Sequence, residues 1–402
     1  MRRVDPALLI VLGGVSAALH IGKLPTALPV LRDAMGVTLV QAGFLLSLVQ
    51  LAGMTLGLAV GLAADSWGLK RTMVAGLLVS CVASLLGGWA QTPGPLMLLR
   101  AMEGLGFLLT SMPAPSLLRR LIEPARMNVA LGLWGAYMPF GTAIALLCGP
   151  LVMAHVGWQG WWWLLAMQSG AMALCLWLRL PADPARQVSH GALGVEGWLL
   201  RLRQTLAAPG PWLVALSFAV YSAQWLAVVG FLPTVYAQGG LGPAAAGAAT
   251  ALAALVNMFG NIASGKLLQR GIRPRSLLNL GFSSMGLGAF LAFAAIWNAA
   301  DANVAFGIRY AAVLVFSMVG GLVPGTLFSL AVSLAPNERT VSTTVGWMQQ
   351  WSSLGQFVGP PLVAWVASQV GGWQWSWLVT GGCAAAGLVV ARQIGVLTPR
   401  GK

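Results

Sequence analysis

Apolar runs of about 20 residues, broken by short polar intervals, recur along the whole chain between residues 6 and 394. Within each run the apolar positions are continuous and do not alternate, which predicts helices long enough to cross a bilayer and argues against a barrel. The breaks place twelve spans at roughly 6–31, 38–63, 72–91, 95–118, 128–154, 160–180, 211–237, 243–266, 275–297, 303–334, 341–367 and 373–394. The longest polar interval, 181–209, contains Pro181, Pro184, His190, Arg201 and Arg203 and divides six spans from six. The chain therefore reads as an N-terminal bundle (1–180), a linker (181–209) and a C-terminal bundle (210–402). Residues 195–206 within the linker have the pattern of a short amphipathic surface helix. Met1-Arg2-Arg3 precedes an apolar run reaching about Val30, too long for a cleaved signal, so the first span is expected to be retained.

Composition narrows the class further. Hydrophobic residues make up 58% of the 402 and charged residues 8%, against about 25% charged in a soluble domain. The net charge of +14 would suggest a nucleic-acid partner in a soluble protein. Here the cations sit in short loops: with both termini cytoplasmic, 19 Lys and Arg fall on the inner side and only Arg32 on the outer, Lys23, Arg100 and Arg309 within spans completing the 23. That asymmetry fixes orientation and supports the span count, since one missed span would scramble the alternation. A multi-pass protein of a bacterial inner membrane is expected, with no nucleic-acid partner. The four cysteines and three histidines form neither a C-x-x-C pair nor a metal-ligand pattern, and no phosphate-binding loop occurs, so no metal, cofactor or ATP drive is expected. No nucleophile–base constellation suggests an enzyme.

The two halves repeat. Shifts of 204–215 residues superpose Leu28-Pro29 on Leu232-Pro233, Gly61 on Gly265, Arg100 on Arg309, and Gly149-Pro150 on Gly359-Pro360. Trp158-Gln159 with Trp161 and Trp163 likewise matches Trp373-Gln374 with Trp375 and Trp377. Such parallel repeats belong to transporters built from two pseudo-symmetric halves. The tryptophan clusters fall at outer span ends, where an aromatic belt is expected.

Gly61-Leu-Ala-Ala-Asp65-Ser-Trp-Gly68-Leu-Lys70-Arg71, between the second and third spans, resembles the loop signature of the major facilitator superfamily. Ser66 and Leu69 replace two of that signature's basic residues. A degenerate copy, Gly265-Lys-Leu-Leu-Gln-Arg-Gly271-Ile-Arg273, stands one repeat later with Gln269 in place of the acid. Arg100-Ala-Met-Glu103-Gly104-Leu-Gly106 is similar to the family's fourth-span motif, with Glu103 in place of the commoner Gln. Gly149-Pro150 behind Gly135 and Gly141 is similar to its antiporter motif without the full ending, and the run Gly132 to Pro139 resembles cyanate-permease-like members. The resemblance covers the whole chain. It implies an all-α membrane protein of twelve spans in two six-helix bundles, spans 1, 4, 7 and 10 lining a central path, with Gly61, Asp65, Gly68, Lys70 and Arg71 in gating.

Charge inside the hydrocarbon layer costs about 2.5–3.5 kcal/mol per residue on insertion scales, so Lys23, Arg100, Glu103 and Arg309 are the first candidates for chemistry. His20 lies three residues before Lys23 on one helical face with Ser16. Lys23 with His20 reads either as an anion site or as a lysine reaching for the outer headgroups. Arg100 and Glu103, at i and i+3, read either as a structural ion pair or as a proton relay in which Glu103, with His20, takes up and releases the proton. Arg309 has no acid near it in sequence, which points to an anionic substrate or to a partner on another helix such as Glu103. Tyr137, Tyr221, Gln224, Asn257 and Gln349 are further candidates for substrate contact or for interhelical hydrogen bonds. The expected function is secondary active transport of a small organic anion by a monomer, driven by the proton gradient or by the gradient of the solute itself. Export of lipophilic drugs is the alternative.

Overall fold

A computed structural model describes residues 5–123, 134–135, 137–183, 195–297 and 301–397, and the side chains of 61–66, 195–198, 302 and 339 lie outside the description. The expected start of the fifth span (128–133) lies outside the described residues. Among those described, regular structure is entirely helical.

Helix α1 (Pro6–Met35) begins at Asp5, whose side chain accepts from the Ala7 amide, with Pro6 at the first helical position. It ends at Gly36 in the left-handed conformation. Pro25 and Pro29 lie inside it. The second expected span divides into α2 (Leu39–Ser47) and α3 (Leu51–Trp67), joined by a 3-10 turn at Leu48–Gln50. There follow α4 (Leu69–Gly87), α5 (Pro93–Ser111) and α6 (Ala114–Leu121). Helix α7 (Tyr137–Arg179) is 43 residues long and carries two expected spans, separated at Gly157, whose φ of 70° breaks the helix. Helix α8 (Val195–Ala207) coincides with the expected amphipathic helix.

The second half comprises α9 (Pro209–Gln238), α10 (Pro243–Gln269), α11 (Pro274–Phe293), α12 (Ala302–Gly320), α13 (Leu322–Ser333), α14 (Val341–Val370) and α15 (Ser376–Leu397). Among the described residues, nine helical stretches are long and apolar enough to cross a membrane. One of them is α7, which serves twice, while α5 and α14 fall outside that group. Helix α5 carries Arg100 and Glu103 in its middle, and α14 carries Gln349, Gln350 and Gln356. Twelve membrane-crossing segments result, as the pattern of apolar runs predicts.

Chain contacts divide into two units, Met1–Gln187 with Gly230–Leu252, and Val188–Val229 with Ala253–Lys402. In the first, α1 lies almost wholly buried along α7, and α4 packs on α5 and α7. Small residues permit the closest approaches. A Cβ at Gly104 would overlap the backbone of Val49, and one at Gly106 would meet the carbonyl of Gly76 at 2.6 Å. The glycines of the fourth-span motif thus bring α5 against its neighbours and hold Glu103 inside.

Gly104→Ala is expected to lower the unfolding temperature of the detergent-purified protein, with an overpacking cost of about 1–3 kcal/mol. Gly94→Ala, where a Cβ meets nothing within 4 Å, is the control and should leave it near wild type.

Candidate functional site

The first unit holds a closed cluster of charges. Lys23 is 0% exposed, His20 0%, Arg100 2% and Glu103 1%. Helix α1 supplies His20 and Lys23 one turn apart, and α5 supplies Arg100 and Glu103 one turn apart. One oxygen of Glu103, Oε1, pairs with Lys23 Nζ, and the other, Oε2, accepts from Arg100 Nη1 at 2.8 Å. Lys23 also donates to Ser84 Oγ of α4 at 2.9 Å and lies 4.4 Å from the centre of the Trp162 ring. Ser84 Oγ in turn donates to the Trp162 carbonyl at 2.9 Å. His20 Nδ1 stands 3.4 Å from Lys23 Nζ and 3.6 Å from Glu103 Oε1, while Nε2 hydrogen-bonds with Ser169 Oγ at 2.7 Å. With Nδ1 accepting from Lys23, the ring proton belongs on Nε2 and is given to Ser169. Arg100 further donates to the backbone carbonyls of His20 and Leu45. Its remaining nitrogen, Nη2, is buried without a partner.

Two fixed cations thus share one carboxylate. Lys23 does not reach for the headgroups, because Glu103, Ser84 and the face of Trp162 occupy its ammonium. Both oxygens of Glu103 are engaged within the first unit. Of the tryptophans expected in an aromatic belt, Trp158 and Trp161 are buried at 5% and 3% exposure and Trp163 is half-buried, while their neighbour Trp162 is buried at 1%. The Trp158 ring packs edge-on against that of Trp162, and the Trp162 ring covers the lysine. Tyr137 stands in a separate stack, 4.1 Å from Trp134 and 6.4 Å from Phe107 between ring centres. Ser84, Ser169 and Trp162 carry no signal in the sequence that ties them to this cluster.

The other candidates belong to the second unit. Asn257 Nδ2 donates to Tyr221 Oη at 3.0 Å and to the Ser317 carbonyl at 2.8 Å, and its Oδ1 accepts from Asn261 at 3.0 Å. These are interhelical locks between α9, α10 and α12. Gln224 is different: it is 1% exposed and neither end of its amide has a hydrogen-bond partner. Gln349 is half-buried on α14. Arg309 is half-buried on α12 with its Nε unpaired, and no acid among the described residues pairs with it.

At the loop signature, Gly61 and Asp65 have side-chain positions outside the described residues. Gly68 (φ 110°) makes the turn into α4, and Gly271 (φ 81°) makes the same turn in the degenerate copy. Lys70 Nζ donates to the carbonyls of Leu180 at 2.7 Å and Trp177 at 2.8 Å, capping the end of α7. The acid found at the start of α4 is Asp183, from the expected linker. Its carboxylate accepts from the Lys70 and Arg71 amides at 3.1 and 3.0 Å and from Arg120 at 2.8 Å. A Cβ at Gly68 would collide with it. Burial pushes the Asp183 carboxyl upward, but the Arg120 hydrogen bond, the two amides and the Arg120 charge outweigh it and hold the group below its ordinary value.

The signature turn, its degenerate copy and the buried acid–cation cluster on α1 and α5 together describe a membrane transporter. The chain belongs to the Major Facilitator Superfamily, whose model matches residues 10–353. It is 27% identical to the 2-nitroimidazole transporter of Escherichia coli over 86% of this chain and 84% of that one. It is 32% identical to the puromycin resistance protein pur8 of Streptomyces alboniger over 43% of this chain, a match spanning only 34% of that relative. Among solved structures it resembles a bacterial homolog to the human lysosomal transporter Spinster (TM-score 0.78, 15% identity, 96% of this chain and 94% of that one). A D-xylose-proton symporter also matches (TM-score 0.75, 16% identity, 98% of both chains). The protein is therefore a multi-pass inner-membrane transporter and not an enzyme.

Glu103→Gln, which strands two buried cations, should cost about 3–5 kcal/mol, and Lys23→Met in the same chain should restore part of it. Unfolding temperatures of the two single variants and the double variant would measure that coupling. For Asp183, whose folded value is lowered, the stabilisation is present above the ordinary carboxylate range near pH 4 and is lost as pH falls through the lowered value. Asp183→Asn should lower stability at pH 7 by about 1.5–3 kcal/mol and flatten the unfolding-temperature profile below pH 4.

Proposed function

We propose that the protein is a secondary active transporter of a small organic anion, with Lys23, Arg100 and Arg309 attracting the anion and Glu103, with His20, handling the coupled proton. The observation that carries this reading is the excess of cation in the buried cluster. Glu103 balances one of Lys23 and Arg100, and Arg100 Nη2 remains a buried donor without an acceptor. A buried unsatisfied donor on a charged group is costly, and a carboxylate is the ligand that satisfies it with two oxygens in the plane of the guanidinium. Arg309, unpaired in the second unit, adds a second unmatched positive charge. Gln224, with both amide ends free, offers a donor and an acceptor for the neutral polar part of a solute.

The name of the 2-nitroimidazole transporter fits the same chemistry, because a nitro group presents two oxygens in the geometry of a carboxylate. His20 is suited to the coupling role. It contacts both Lys23 and Glu103 and passes a hydrogen bond outward to Ser169, so a proton entering at the imidazole reaches the carboxylate within one side chain. A second reading, export of lipophilic compounds, is supported by the drug-resistance names among the relatives and by the Trp134–Tyr137–Phe107 stack.

Thermal unfolding of the purified protein against small carboxylates, 2-nitroimidazole, inorganic anions and lipophilic cations separates the two. A ligand at about 100 times its Kd adds about 2.7 kcal/mol. The anion reading expects stabilisation by carboxylates that disappears in Arg309→Ala and in Arg100→Lys. Stabilisation by lipophilic cations alone would replace it with the export reading.

A further inference from the structure

The outer ends of α1 and α9 line an open cavity of about 470 Å³ that shares no residue with the buried cluster. Every residue lining it belongs to the first unit. Pro29, Val37 and Ala237 give it apolar walls, and Arg32, Asp33 and Thr234 give it polar ones. Its volume lies in the range of small-molecule sites.

Three features of its lining have no structural partner. Arg32 and Asp33 both line the cavity, yet among the described residues neither joins an ion pair with the other or with any third group. Thr234 is 3% exposed and its Oγ1 has no hydrogen-bond partner. Arg32 Nε is buried and equally unpartnered. Buried polar groups are ordinarily satisfied, so unsatisfied ones converging on a cavity mark what is missing from it.

Helix-end electrostatics explains only part of this. A cation in the last turn of α1 complements the helix dipole, but it does not require a buried, unpaired Nε, and Asp33 has the wrong sign for a helix C-terminus. Topology does not explain it either, because Arg32 is the one Lys or Arg at an outer span end, against 19 on the inner side and three within spans. Two opposite charges that line one space without neutralising each other are complementary to a ligand that carries both charges.

We propose that this cavity binds a small zwitterion with an apolar body, its carboxylate on Arg32 and the Thr234 hydroxyl and its ammonium on Asp33. The site shares no residue with the Lys23–Glu103–Arg100 cluster and stands or falls independently of the transport reading.

A matched set of probes tests it: phenylalanine, 3-phenylpropionate, which lacks the ammonium, and 2-phenylethylammonium, which lacks the carboxylate. Calorimetric titration of the purified full chain should find phenylalanine bound at least about 10-fold more tightly than either half. In Asp33→Asn phenylalanine should fall to the level of 3-phenylpropionate, and in Arg32→Gln to that of 2-phenylethylammonium. Thr234→Val should weaken phenylalanine and 3-phenylpropionate while leaving the amine unchanged. Should Arg32→Gln not fold, Asp33→Asn and Thr234→Val carry the test, since Asp33 is exposed and valine keeps the shape of threonine. Equal binding of the three probes, no saturable heat, or an unchanged Asp33→Asn overturns the proposal. Loss of phenylalanine binding in Arg309→Ala overturns it too, by assigning the ligand to the transport path. Retention there, with failed stabilisation by carboxylates in the thermal screen, would leave the outer site standing and the anion reading fallen.

Discussion

A charge buried in a membrane protein must find its counter-charge inside the protein, and in the first unit a single carboxylate performs that service for two cations. Glu103 receives Lys23 on one oxygen and Arg100 on the other, so α1 and α5 are joined through one side chain. The surrounding packing follows from keeping that junction dry and aligned. Gly104 lets α5 approach the turn between α2 and α3, Ser84 brings α4 to the lysine, and Trp162 closes the lysine's remaining face with its ring. Removing the acid would leave two positive charges in a low-dielectric interior, a far larger penalty than losing any one of the hydrogen bonds around them. The cluster is therefore the point at which the unit's helices are held in register.

The same economy of charge operates at the cytoplasmic rim. The start of α4 exposes amides and the end of α7 exposes carbonyls, and each needs a partner of opposite polarity. Asp183 meets the first and Lys70 the second, with Arg120 of α6 tied to Asp183. Three chain segments far apart in sequence meet at two side chains, and the turn at Gly68 leaves room for the acid. The loop signature can thus be understood as a way of fastening helix ends.

Much of this was legible in the sequence, and the limits are instructive. The spans could be placed because lipid demands long apolar helices, and the inside–outside charge asymmetry checked their number. His20 and Lys23, and Arg100 and Glu103, could be grouped because one helical turn puts each pair on a common face. That the two pairs meet could not be read, because 80 residues separate Lys23 from Glu103 and no local rule links them. The tryptophans near residue 160 looked like an interfacial belt because composition and position in a span cannot tell an inward face from an outward one. Asp183 was hidden in a polar stretch that read as linker, since a carboxylate capping a helix 113 residues earlier leaves no spacing to recognise. In the second half, Arg309 was legible as a charge without a neighbour in sequence, and among the described residues it pairs with no acid.

The prolines of α1 have a consequence for how that helix bears load. Pro25 cannot donate to the carbonyl of Ile21, nor Pro29 to that of Pro25, so two rungs of the ladder are absent one turn apart on the same side. The stretch below them is anchored through His20 and Lys23, while the stretch above ends at Gly36. A rod lacking two adjacent rungs bends there without breaking any bond it still possesses. Helix α1 is in this sense a jointed strut, with a lower arm clamped by ion pairs and an upper arm, buried at Ala27, Leu28 and Leu31, whose angle is set by what packs against it.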